Sequence, residues 1–309
     1  MKIVFMGTPD FAVYSLQALQ ESGVEIALVV TQPDRPKGRG YTLTPSPVKK
    51  YATELGIEVI SPASLKDEDV LQKLEGINAD MFIVTAYGRI LSKRILDMPK
   101  IACFNVHASI LPYWRGAAPI NRAIMNGDRV GGITVQYMAE GVDTGDVVLT
   151  KEIEIKDEWC AGDYHDALAV ASKDAVKQLL AYAEGGSIPR TPQDHEKATH
   201  AAKIGNEDAY LTFDEPASCV RNRIRGLSPA PAAFFFINGR RIKARKAILG
   251  SGSGEIGRVI STDKGGIEIA CAEGSVIITE LCPEGKGVCD ANSFLRGNKI
   301  EIGLKVNER

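Results

Sequence analysis

Residues 2–31 read KIVFMGTPDFAVYSLQALQESGVEIALVVT. The run 2–7 is short, apolar and ends at Gly7. Residues 11–23 space their apolar side chains as a helix does and stop at Gly23, and 25–31 is a second aliphatic run. A strand that is apolar at every position is buried on both faces. Such strands joined by helices make a parallel sheet. The alternation continues downstream, with a helical pattern at 69–77, strands at 80–88 and 101–108, a short helix at 120–128 and a strand at 131–138. The segment 147–155 alternates instead, as an edge or hairpin strand would. A long helical stretch over 163–186 ends at two glycines. The expected fold is therefore α/β, a Rossmann-like, doubly wound, mostly parallel sheet. The turn GTPD lacks the GxGxxG spacing that lets a backbone approach a dinucleotide, so no such cofactor is expected.

Residues 187–206 carry two prolines and mixed charge without periodicity. Beyond them, five or six short strand patterns are separated by turn signals such as Asn238-Gly239, Gly265-Gly266 and Glu273-Gly274, with one helix over 216–226. This pattern predicts a small OB-like β-barrel. The division is 1–188 for a first domain, 189–206 for a linker and 207–309 for the barrel.

Composition narrows the function classes. No apolar run approaches the ~20 residues of a membrane span. The N-terminus enters a strand directly, without the pattern of a signal peptide. Six cysteines are scattered singly, so neither a disulfide framework nor a zinc site is expected, and a reducing cytoplasm is. The net charge is only −2, but it is segregated. Between Asp34 and Glu54 lie Arg35, Lys37, Arg39, Lys49 and Lys50 and no acid. Between Glu215 and Glu255 lie eight cations and no acid: Arg221, Arg223, Arg225, Arg240, Arg241, Lys243, Arg245 and Lys246. Such clusters are either solvated faces or sites for a phosphate-rich partner.

Four expected strands deliver polar or flexible residues to the carboxyl edge of the sheet, where ligands of open α/β sheets bind. Among these residues, Asn105 and His107 are two apart on one strand and share a face. Two side-chain donors aimed at one point suit an oxygen that becomes negative in a tetrahedral intermediate. Asp143, in the sequence GVDTGD, is placed to orient the imidazole, with Gly141 and Gly145 allowing a tight loop. Each feature alone is ordinary, since a histidine at a strand end is more often structural. Together they point to acyl transfer or hydrolysis without a serine or cysteine nucleophile.

The stretches FMGTPDFAV (5–13), TQPDRPKGRG (31–40), PSPVK (45–49), AYG (86–88), NVHASILPYWRGAAPI (105–120), GVDTGD (141–146) and IRGLSPAPAA (224–233) cover nearly the whole chain. In them the sequence resembles the folate-dependent formyltransferases, and within them the methionyl-tRNA formyltransferase family. The resemblance implies formyl transfer from 10-formyltetrahydrofolate to the α-amino group of methionyl initiator tRNA, for translation initiation. Asn105, His107 and Asp143 would be the catalytic set. Ser109, Ile110, Leu111 and Pro112 would contact the folate, with a pterin pocket lined by Tyr87, Gly88, Arg89, Ile90, Leu91, Glu140, Gly141 and Val142. Arg35, Lys37 and Arg39 would hold the acceptor end of the tRNA, and Arg240, Arg241, Lys243, Arg245 and Lys246 its body. No tightly bound cofactor, no metal and no membrane are expected, and the chain is expected to be a cytoplasmic monomer. Ala108 stands where the family motif has glycine. Formyl transfer to another amine, hydrolysis of a formyl-folate, and a tRNA-binding protein with a degenerate first domain are the alternatives. The first two have no use for a basic barrel, and an intact Asn105, His107 and Asp143 opposes the third.

Overall fold

The computed structural model describes residues 1–37, 42–263 and 265–308. The chain divides into two compact units that are not sequential. One holds Met1–Gly116, Val130–Ile153 and His165–His200, and the other Ala117–Arg129, Glu154–Tyr164 and Ala201–Arg309.

The first unit is built on a seven-stranded sheet. Its order is Val147–Glu154, Val130–Tyr137, Ala102–His107, Met81–Thr85, Lys2–Gly7, Glu25–Val30 and Val59–Ile60. The last five run parallel to one another. Ile3, Val4, Phe5 and Met6 are all fully buried, so both faces of the central strand are covered, as its unbroken apolar run requires. Each such side chain contributes roughly 1.5–3 kcal/mol of hydrophobic stabilisation. The helix Asp10–Glu21 buries Phe11, Ala12, Leu16 and Leu19 on one stripe. Gly7 makes its entry possible, because a Cβ there would lie 2.8 Å from Ala12 Cβ and from the Phe5 ring.

One strand departs from the parallel expectation in a way that matters for the site. Val130–Tyr137 pairs antiparallel with Ala102–His107, placing Gln136 opposite Asn105 and Thr134 opposite His107. Its carboxyl end therefore points away from the edge where the parallel strands end. The 138–146 segment cannot reach that edge as a simple strand-end loop; it has to fold back.

The second unit carries an antiparallel sheet in the order Ala233–Ile237, Arg240–Gly250, Ser275–Pro283, Ile267–Ala270 and Val259–Ser261, with Cys289–Asp290 paired to Ser275–Pro283. Register shifts around Lys246 curl it into a half-barrel. Phe213, Phe235, Ile242, Ile269 and Ile278 fill its concave side, and Phe213 meets Phe235 edge-on at 5.5 Å. The helices Pro119–Asn126 and Ala217–Gly226 pack together in this unit. Asn121 Nδ2 donates to the Gly226 carbonyl at 2.7 Å, and Arg122 meets Asp208 at 2.6 Å.

Candidate active site

The first unit brings Asn105, His107 and Asp143 together. Asp143 is the hub. Its Oδ1 accepts from Asn105 Nδ2 at 3.2 Å and from Gln136 Nε2 at 2.9 Å. Its Oδ2 accepts from the Gly116 N–H at 2.9 Å and lies 3.5 Å from His107 Nδ1. The other ring nitrogen of His107, Nε2, stands 3.0 Å from the Trp114 carbonyl. A carbonyl only accepts, so Nε2 is the donor there. His107 is 6% exposed, so the ring is shielded from bulk solvent.

The loop that carries Asp143 is held in an unusual shape. Asp143 and Trp114 are non-glycine residues in the left-handed region, at φ 53° and φ 58°. Such strain costs of order 1–3 kcal/mol per residue and persists where the surroundings fix it. Gly145 lets the loop close, since a Cβ there would lie 1.8 Å from the Tyr137 carbonyl oxygen. That closure forms the bond from Tyr137 N to the Asp146 carbonyl at 2.9 Å.

The stretch after His107 is pinned from the neighbouring strand. Thr134 Oγ1 donates to the Ser109 carbonyl at 2.7 Å and accepts from Leu111 N at 3.1 Å, while Ser109 Oγ donates to the Tyr113 carbonyl at 2.6 Å. Ile110 and Pro112 are half-buried, and Leu111 is buried. The folate residues expected at 87–91 divide. The Tyr87 side chain is 1% exposed and packs in the core with Leu91, and the Tyr87 carbonyl accepts from Thr8 Oγ1 and Gln32 Nε2. Gly88 is exposed at φ 79°, and Arg89 donates to the Ala63 carbonyl. Ile90 stands 79% exposed and Val142 55% exposed, beside exposed Glu140 and Gly141.

Burial pushes the Cys103 thiol, two residues before Asn105, up to about 12. It is therefore not a thiolate nucleophile near neutral pH. Among the described residues, no group of three or more His, Cys, Asp or Glu is gathered as a metal site. Among them too, no helix is long and apolar enough to cross a membrane.

The basic residues are less free than their count suggests. Arg221 is paired with Asp157 and Arg223 with Glu215, across distances of 2.6 and 2.7 Å. On Arg240–Gly250, the buried Ile242 and Ala244 alternate with half-exposed Arg241, Lys243 and Arg245. Arg241 lies over the Phe234 ring, while Lys243 and Arg245 reach the carbonyls of Pro231 and Pro229. Arg240 and Lys246 are exposed. Arg35 is exposed and donates to Gln32 Oε1. Lys37 sits in a short strand, Arg35–Lys37, paired with Thr42–Thr44, and Arg39 lies outside the described residues.

Residues 1–180 match the formyl transferase family and 203–299 its C-terminal domain. A methionyl-tRNA formyltransferase of Macrococcus caseolyticus is 43% identical over 99% of both chains. One from Methylobacterium nodulans is 44% identical, again over 99% of both. The chain belongs to the methionyl-tRNA formyltransferase family. The same fold is seen in an N-formyltransferase from Helicobacter canadensis in complex with folinic acid and dTDP-3-aminofucose, at TM-score 0.69 and 18% identity over 90% of this chain and 98% of that one. It is seen also in HypX from Aquifex aeolicus in complex with tetrahydrofolic acid, at TM-score 0.67 and 16% identity. There this chain is matched over its full length but spans only 51% of HypX. These two likenesses concern the fold alone.

Three polar residues at the heart of this family member escape a reading of single motifs. Thr134 and Gln136 are polar positions on an otherwise apolar strand, fully or almost fully buried, and that alternation is a usable signal. Gln193 lies in the aperiodic stretch expected as a linker and gives no signal at all.

Proposed function

We propose that the chain transfers the formyl group of 10-formyltetrahydrofolate to the α-amino group of methionine on initiator tRNA. The observation that carries this is the Asn105, His107 and Asp143 cluster in a chain whose full-length relatives bear that activity in their names. The neutral amine attacks the formyl carbon, and the carbonyl oxygen becomes negative. Asn105 Nδ2 and His107 Nε2 take that charge; the Nε2–H that now donates to the Trp114 carbonyl turns to the oxyanion. Asp143 holds the ring by its Nδ1 side. The intermediate collapses by breaking the bond from the formyl carbon to folate N10. The proton lost by the amine ends on N10, carried by a water beside His107 or Asp143. Each oxyanion donor is worth a rate factor of about 100 or more.

Exposed Ile90 and Val142 support the folate site, because apolar side chains uncovered on two loops suit a flat ring. The face of Arg241, Lys243 and Arg245 and the segment of Arg35, Lys37 and Arg39 supply phosphate contacts. The test is formyl transfer from 10-formyltetrahydrofolate to charged initiator tRNA, beside arms with an amino-sugar nucleotide and with no acceptor. Transfer to the sugar alone, or release of formate alone, overturns the reading.

A further inference from the structure

Gln193 is 7% exposed, and every polar atom of its amide is engaged. Its Nε2 donates to the carbonyls of Asp143 at 3.0 Å and Gly145 at 2.6 Å, with Gln136 Oε1 at 3.4 Å. Its Oε1 accepts from Arg115 Nε at 3.2 Å and Nη2 at 2.6 Å. The carbonyls can only accept and the guanidinium can only donate, so the amide has one orientation. Arg115 is itself buried and reaches His195 Nδ1 at 3.0 Å. Gln136, the neighbour at the end of this chain of bonds, donates to Asp143 Oδ1.

The consequence follows from where these bonds land. Asp143 holds a left-handed backbone that a non-glycine residue leaves when free to do so. Gln193 grips that backbone at residues 143 and 145, and Gln136 grips the carboxylate. Neither touches the reacting atoms. We propose that Gln193, locked by Arg115 and seconded by Gln136, is a positioning residue that sets the carboxylate of Asp143 against His107. The inference rests on the reading of Asn105, His107 and Asp143 as the catalytic set.

The experiment uses the full chain with 10-formyltetrahydrofolate and charged initiator tRNA. Gln193→Ala is expected to lower kcat at least tenfold with KM for both substrates changed less than twofold. Gln193→Glu still accepts from Arg115 but has no N–H for the loop, and is expected to fall as far. Gln193→Ala added to Asp143→Ala is expected to cost little beyond Asp143→Ala alone, since one acts through the other. Wild-type kcat in Gln193→Glu overturns the proposal, as does a double variant in which the two losses multiply. Amide exchange of the peptide 139–146 is the second measurement and needs no acceptor. Exchange should quicken in both Gln193 variants, and unchanged exchange overturns the brace. A wild-type chain that transfers no formyl group instead overturns the reading of function, and the exchange result then judges the brace by itself.

Discussion

The Asp143 carboxylate accepts three hydrogen bonds and faces His107, so one changed atom there is felt by four groups. In Asp143→Asn the new amide must turn either toward Asn105 and Gln136 or toward the Gly116 N–H, and either way donor meets donor. The variant should lose a factor of about 100 or more in single-turnover formyl transfer. Its stability should fall by only about 1–3 kcal/mol, the cost of a mismatched buried polar group. Transfer at the wild-type rate would remove Asp143 from the mechanism. Asn105, His107 and Asp143 were legible in the sequence because each is a polar side chain in an otherwise apolar or glycine-bounded context. Gln193 was not, since its role exists only once residues 57 positions apart meet, as Gln193 and Gln136 do. The sequence places Asp143 at the end of a parallel strand, whereas Val130–Tyr137 runs antiparallel and the loop folds back to bring Asp143 to Asn105.

At the scale of elements, the strand Arg240–Gly250 presents Arg241, Lys243 and Arg245 on one side only. Lys243→Ala should weaken binding of charged initiator tRNA and lower its log–log salt slope by roughly one unit at most. An unchanged slope would mean that Lys243 touches no phosphate. The helix Asp10–Glu21 offers a test of a different kind. Hydrogen bonds from Lys173 and then Lys177, on the helix Ala161–Glu184, hold the Glu21 carboxyl down at about 2. A depressed folded-state value stabilises above the ordinary carboxylate range and loses that effect as pH falls toward 2. Glu21→Gln should therefore be less stable than wild type in urea near pH 6, with the gap narrowing near pH 3.5. A gap independent of pH would show that the ion pairs contribute nothing. The central strands were readable because burial on both faces makes every position apolar, and this helix because burial of one stripe imposes a period. The two-residue strand Val59–Ile60 has too few residues for any period to show. The helix Pro47–Glu54 did carry a signal, a Ser46 cap followed by proline, within a stretch that reads first as a motif.

At the scale of the molecule, a cut after residue 190 would not release a finished unit. Segments 117–129 and 154–164 belong with residues 201–309. The cut deprives Asn121 of the Gly226 carbonyl, Arg122 of Asp208 and Asp157 of Arg221. A fragment of residues 1–190 should bind a hydrophobic dye and melt well below the full chain. Cooperative melting at the same temperature would show that residues 191–309 add no stability to the first 190. The same interleaving sets a delay while the protein is being made. Asn121 leaves the ribosome 105 residues ahead of Gly226. At ordinary rates of translation that is roughly 5–20 s in which Pro119–Asn126 lacks the helix Ala217–Gly226 that it packs against. During that interval the half-made chain carries a helix without its partner, and a holding chaperone or a slow codon has a defined place to act.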